Sequence, residues 1–273
     1  MAKVIALANQ KGGVAKTTTC INLAASLVFL KKQVLLVDLD PQGNATMGSG
    51  IDKSKLKSSM NEVLQQTSSI HEASLKVPAG YCLLPANSDL TVAEVALLRS
   101  PNQQQNLRHA IKLVEKNFDY ILIDCPPSLN MLTLNALVAA DSIIIPMQCE
   151  YYALEGLSAL LETVEQIKEN LNKKLTIEGI LRTMYDKRNK LTLDVSKQLT
   201  QHFKQQLYSS IIPRNVRLAE APSYGLPAII YDKQSSGAKA YLKLAKEFLR
   251  RNKSSHPTII RNKSKAQTIK EVY

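Results

Sequence analysis

Uninterrupted apolar runs, each too short to cross a membrane and most followed by a helical pattern, constrain this chain more than any other feature. They are Lys3-Val4-Ile5-Ala6-Leu7-Ala8, Val34-Leu35-Leu36-Val37, Tyr120-Ile121-Leu122-Ile123, Ser142 to Met147 and Leu175 to Leu181. A strand with one wet face alternates apolar and polar residues. Strands buried on both faces do not, and they belong to parallel sheets whose crossovers lay helices on either side. Helical spacing fills the gaps: Ile21, Ala24, Ala25 and Val28 form one stripe within 17–30, and further helices are predicted at about 88–98, 103–116, 155–171, 192–207 and 237–251. Leu75 to Leu84, broken by Pro78-Ala79-Gly80, reads as two short strands joined by a turn, and 42–59, rich in Gly, Ser, Asn and Lys, as a mobile connection. The predicted fold is α/β, a doubly wound, mostly parallel sheet.

The 273 residues suit one large domain, placed at 1–251, with a basic tail at 252–273. Hydrophobic residues make up 45% of the chain but aromatic ones only 5%, which fits an aliphatic core under helices. The formal net charge of +12 attracts polyanions, either nucleic acid or an acidic membrane face. Part of that excess lies in the last stretch, where Arg250, Arg251, Lys253, Arg261, Lys263, Lys265 and Lys270 face only Glu271. Cys20, Cys82, Cys125 and Cys149 lie far apart without a C-x-x-C pair, so neither a zinc ribbon nor a disulfide framework is indicated, and a reducing compartment is expected. No signal-peptide pattern follows Met1 and no apolar run approaches ~18 residues, so a soluble, cytoplasmic protein is expected.

The first strand breaks at Gln10-Lys11-Gly12-Gly13-Val14-Ala15-Lys16-Thr17-Thr18, directly before a helix. A loop in that position aims successive backbone N–H groups at a phosphate, and the helix dipole adds to the attraction. Lys16 is then placed to neutralise the β/γ oxygens and Thr17 to offer its hydroxyl to Mg²⁺. Two other apolar strands end in carboxylates, at Asp38 with Asp40 and at Asp124. Ligands of parallel sheets bind beyond the carboxyl ends of the strands, so the loop and all three carboxylates are expected to converge. Position 10 and position 15 are not glycine, as the usual phosphate loop would have them, and a second lysine, Lys11, stands at the loop's mouth.

K-G-G-V-A-K-T-T resembles the deviant Walker A box of the ParA/MinD superfamily, a P-loop NTPase fold of the SIMIBI type. Leu36-Val37-Asp38-Leu39-Asp40-Pro41-Gln42-Gly43-Asn44-Ala45-Thr46 is similar to that family's first switch. Asp124-Cys125-Pro126-Pro127-Ser128 is similar to its Walker B strand and second switch, and Ile212 to Ser223 resembles a block of the Soj-like branch. The resemblance covers residues 2–250. It implies ATP and Mg²⁺ as ligands, held by Lys11, Gly12, Gly13, Val14, Ala15, Lys16, Thr17 and Thr18. It implies that Lys11 contacts nucleotide across a homodimer and that Asp40 handles the attacking water. Thr17, Asp38 and Asp124 would support the metal, and Pro213 and Asn215 would pack on adenine, with Thr183-Met184 nearby. The family prefers Gly at the position of Ala15, whose methyl restricts the loop if the site needs a positive φ.

Non-specific binding of duplex DNA needs cations on phosphates. Lys187, Arg188, Lys190, Arg214 and Arg217 lie in two predicted loops, and the resemblance favours Arg188 and Arg217 as the contacts. The function implied is a slow ATPase switch, dimeric with ATP, that binds the nucleoid and partitions chromosome or plasmid with a ParB-like partner. Three rivals share the phosphate loop. A MinD-like membrane-surface ATPase needs an amphipathic C-terminal helix, for which Thr258 to Ile269 has too few apolar residues, so no stable membrane anchor is expected. A nucleotide-bound scaffold protein with little turnover is the second. An iron–sulfur reductase like the nitrogenase iron protein would need cluster cysteines that this spacing lacks.

Overall fold

A computed structural model describes residues 1–99 and 103–254. Seven strands form one sheet: β1 (Lys3–Leu7), β2 (Val34–Asp38), β3 (Leu75–Lys76), β4 (Cys82–Leu84), β5 (Tyr120–Asp124), β6 (Ser142–Gln148) and β7 (Thr176–Thr183). Their order is β3-β4-β2-β5-β1-β6-β7, parallel throughout except for β3 against β4 at one edge. The expected α/β architecture is therefore present, including the short hairpin at 75–84.

The two faces explain the unbroken apolar runs. Val4 and Ala6 of β1, Leu35 and Val37 of β2, and Ile121 and Ile123 of β5 join one core, with Met60, Leu90, Leu107, Leu132 and Leu157 from the helices above it. The alternate residues Ile5, Leu7, Leu36 and Leu122 join a second core, with Leu23, Leu27, Tyr241 and Phe248 beneath. Apart from the half-buried Lys3 and Tyr120 at their starts, every position of these strands is buried. Helix Lys16–Phe29 and the terminal helix Ser236–Ser254 pack on each other to build the second layer.

Several elements depart from the pattern-based reading. Segment 42–59, read as a mobile connection, contains the one-turn helix Asn44–Gly48 and the turn Lys53–Lys55, and buries Ala45, Thr46 and Ser49. Two further short helices, Met60–Leu64 and Ile70–Ala73, each begin with a capping box, Ser59 with Glu62 and Ser69 with Glu72. The helix expected at 192–207 runs from Lys190 to His202, because the chain turns at Phe203 to bring Leu207 alongside Ile180 of β7. The last helix continues to Ser254, so 252–254 belong to the folded body, with Asn252 bonded to Glu178. The rest of the basic tail, 255–273, lies outside the described residues. Among the described residues no helix is long and apolar enough to cross a membrane.

Candidate nucleotide site

β1 ends at Leu7, and the chain then turns through Gly12 and Gly13 into helix Lys16–Phe29. Gly13 has φ +71° and Ala15 φ +67°, so the loop does require left-handed backbone at the position where glycine would be relaxed. The helix starts without a side-chain cap, and the Thr19 hydroxyl bonds back to the Ala15 carbonyl at 2.7 Å. Lys16 is buried, and its Nζ donates to the carbonyls of Asn9 (3.0 Å) and Lys11 (3.2 Å). Burial lowers its pKa, while the nearby charges of Asp124, Cys125 and Asp40 act in the opposite direction. Gly12, Gly13 and Lys11 are exposed, and Thr17 and Thr18 are half-buried at the helix start. Lys11 pairs with Glu150, which follows β6.

Asp38 and Asp124 are register partners at the carboxyl ends of β2 and β5, and Leu7 pairs with Asp124 on the other side. Both carboxylates are fully buried. Burial pushes each pKa up, with the charge of Asp38 adding to the rise at Asp124 and that of Asp40 to the rise at Asp38, while Thr46 opposes the rise at Asp38 and Thr17 and Cys20 oppose it at Asp124. Asp38 is engaged on both oxygens, by the Asp40 N–H (3.3 Å) and by the N–H and hydroxyl of Thr46. Asp124 accepts from the Cys20 thiol on Oδ1 and has no protein partner on Oδ2. Asp40, also buried, accepts from the Gln42 N–H at 2.9 Å. Lys16, Thr17, Asp38, Asp40 and Asp124 thus come together as expected.

The predicted adenine and DNA residues lie in the loops that follow β7 and helix Lys190–His202, and on the short helix Val216–Glu220. Pro213 lines a cleft of about 770 Å³ together with Lys187, Arg188, Arg214, Lys239 and Lys243. Asn215 donates to Ser236 at 2.9 Å, and its Oδ1 is buried without a partner. Arg188 is in the cleft but held by Asp186 at 2.7 Å. Arg217 does not line it and is paired with Glu220 (2.9 Å) and Asp232 (3.4 Å). Sequence reasoning missed Lys239 and Lys243, whose i,i+4 spacing on the last helix was the available signal.

The family model described as "AAA domain" matches residues 2–177. The sporulation initiation inhibitor protein Soj of Bacillus subtilis is 49% identical over 248 residues, covering 90% of this chain and 98% of that protein. The chromosome partitioning protein ParA of Myxococcus xanthus is 48% identical over 256 residues, covering 93% and 90%. A crystal structure described as cobyrinic acid a,c-diamide synthase from Mycobacterium smegmatis, with bound ATP analog and magnesium, is 38% identical and superposes with a TM-score of 0.83 over 94% of this chain and 98% of its own. With these likenesses spanning almost the whole folded body, the chain belongs to the ParA/Soj family of chromosome-partitioning ATPases.

Proposed function

We propose that this chain is an ATP-dependent switch: a homodimer with ATP that binds duplex DNA without sequence preference, releases it after hydrolysis, and acts at the nucleoid with a ParB-like partner. The observation that carries the reading is the convergence, at one end of one sheet, of the phosphate loop and three strand-end carboxylates, with a cleft bearing five cations reached within two residues of β7.

The residues present suit ATP and Mg²⁺. Asp124 Oδ2 is a buried acceptor lacking a donor, which a metal-bound water would supply; Asn215 Oδ1 is another, suited to the exocyclic amine of adenine. Among the described residues no three His, Cys, Asp or Glu side chains cluster as a metal cage, in keeping with a cation held by Thr17, one or two carboxylates and phosphate oxygens. When bound, Mg²⁺ neutralises charge on the transferring phosphate. Lys16 adds its own charge there, and its bonds to the Asn9 and Lys11 carbonyls hold it over the loop. Asp40 orients the attacking water and takes up part of its proton charge. Lys11 serves the partner subunit's nucleotide.

Co-sedimentation with random-sequence duplex DNA at low salt tests this. ATP, but not ADP, is expected to promote binding; Lys16→Ala abolishes the difference, and Asp40→Ala prolongs the bound state. Equal binding with both nucleotides would discard the DNA switch, and flotation with anionic liposomes in ATP would then favour a membrane-surface ATPase.

A further inference from the structure

The hydroxyl of Thr183, the last residue of β7, donates to the carbonyl of Val14 in the phosphate loop at 2.9 Å. Both residues are buried, Thr183 completely and Val14 to 1% exposure, so no water competes for the bond. The residue after each partner is strained. Ala15 has φ +67° and Met184 φ +46°, and these are two of the four non-glycine residues with positive φ among the described residues. Strain of this kind persists only where the surroundings over-determine it, and it collects at switch regions.

From Met184 the chain passes directly into the basic cleft. The Tyr185 N–H donates to the Ile212 carbonyl at 3.0 Å and the Arg214 N–H to the Tyr185 carbonyl at 3.3 Å, pairing the two loops that carry Arg188 and Arg214. Asp186 then orients Arg188 through Nε (2.9 Å) and Nη2 (2.7 Å). On the second loop Asn215 bonds Ser236, the first residue of the helix that supplies Lys239 and Lys243. A buried side-chain hydrogen bond therefore joins the phosphate loop to the strand end from which the first cleft loop continues, beside the Thr19–Tyr241 hydroxyl contact (3.0 Å) that ties the first helix to the last.

We infer that Thr183 is a positioning residue that couples the phosphate loop to the basic cleft, so that a shift of the Val14 peptide on nucleotide binding changes the setting of the 185–188 and 212–215 loops. The inference rests on the reading that the loop binds ATP. It deepens the DNA reading by naming the contact through which nucleotide state reaches the cations. Coupling between sites needs a physical element that both can bias, and this bond, flanked by two strained residues, is that element.

The test compares wild type, Thr183→Val, which keeps the shape and loses the hydroxyl, and Thr183→Ser, which restores it. Hydrogen exchange of the Tyr185 and Arg214 amides is followed with and without saturating MgATP, in the absence of DNA. A change in their protection on adding nucleotide is expected in wild type and Thr183→Ser, and its loss in Thr183→Val, with nucleotide binding verified by a fluorescent ATP analogue. In parallel, the ratio of DNA affinity in ATP to that in ADP should drop about tenfold in Thr183→Val and recover in Thr183→Ser. An unchanged exchange response in Thr183→Val, or no response in wild type, overturns the coupling. A wild-type exchange response, lost in Thr183→Val, with no DNA ratio leaves the coupling standing and removes the DNA reading instead.

Discussion

Thr46 closes on Asp38 twice, with its N–H at 2.7 Å and its hydroxyl at 2.7 Å from the same carboxylate oxygen. The hydroxyl oxygen also accepts the Ala86 N–H at 2.9 Å. All of this is buried. Asp38 is thereby tied to the segment that follows Asp40.

Thr46→Val should therefore cost more than one ordinary hydrogen bond, because it removes a donor from a buried carboxylate and strands the Ala86 N–H. A loss of about 2–4 kcal/mol in urea unfolding is expected, with Thr46→Ser recovering most of it. A loss below about 0.5 kcal/mol in Thr46→Val would show that the Asp38 contact contributes little.

Ala15 stands in left-handed backbone, which costs an L-residue about 1–2 kcal/mol, whereas glycine adopts it freely at an unfolded-state cost of about 0.5–1 kcal/mol. Ala15→Gly should therefore gain up to about 1 kcal/mol and raise Tm by roughly 2 °C. Ala15→Val should lower it. Equal or lower Tm in the glycine variant would mean that tertiary contacts of the methyl outweigh the strain. A gain would show that alanine occupies this position at the expense of stability.

Much of this site was readable before any coordinates, for a physical reason. A strand buried on both faces has no alternation to disguise it, so β1, β2 and β5 were found together with the Asp38 and Asp124 that end two of them. Helix Met131–Ala139 carries no periodic signature for the same reason. Leu132, Thr133, Asn135, Ala136, Leu137 and Val138 are all buried, so it has no polar stripe to set a period. The helices at 60–64 and 70–73 were legible in their Ser-x-x-Glu boxes but too short for periodicity to mark. Contacts such as Thr183 with Val14 join residues far apart in the chain and leave no local trace. Charge was the weakest guide: Arg217 reads as free in the sequence, yet Glu220 and Asp232 claim it in the fold.

Glu247 gives the fold a pH dependence of known sign. Burial pushes its carboxyl up, but donors from Ser210 and Ser209 outweigh burial and bring it to about 2, with Arg251 adding a further bond at 2.9 Å. The folded value lies below the unfolded one, near 4.3, so the contribution is complete above that pH and drains as pH falls toward 2. At about 1.4 kcal/mol per unit it amounts to roughly 3 kcal/mol. Glu247→Gln cannot titrate, so the stability gap between it and wild type should be widest at pH 7 and shrink steadily between pH 4.5 and 2.5. A gap that stays constant over that range would reject the assignment.

Lys11 meets Glu150 across the mouth of the loop, with both side chains more than two-fifths exposed. An ion pair this exposed is worth at most about 1 kcal/mol. That is enough to hold the lysine within its own subunit and too little to prevent its transfer. If Lys11 serves the partner subunit's nucleotide, this pair must open before the dimer closes. Glu150→Gln removes the competitor in both subunits and should strengthen ATP-dependent dimerisation by up to about thirtyfold, since two pairs open and about 2 kcal/mol is a factor of about thirty. Lys11→Ala should abolish the dimer while leaving MgATP bound to the monomer through Lys16. Sedimentation velocity across a concentration series, with ATP in Asp40→Ala to suppress turnover, reads both effects. A Glu150→Gln variant that dimerises more weakly would place Glu150 in the interface as a contact of its own, and a Lys11→Ala variant that dimerises normally would remove Lys11 from it.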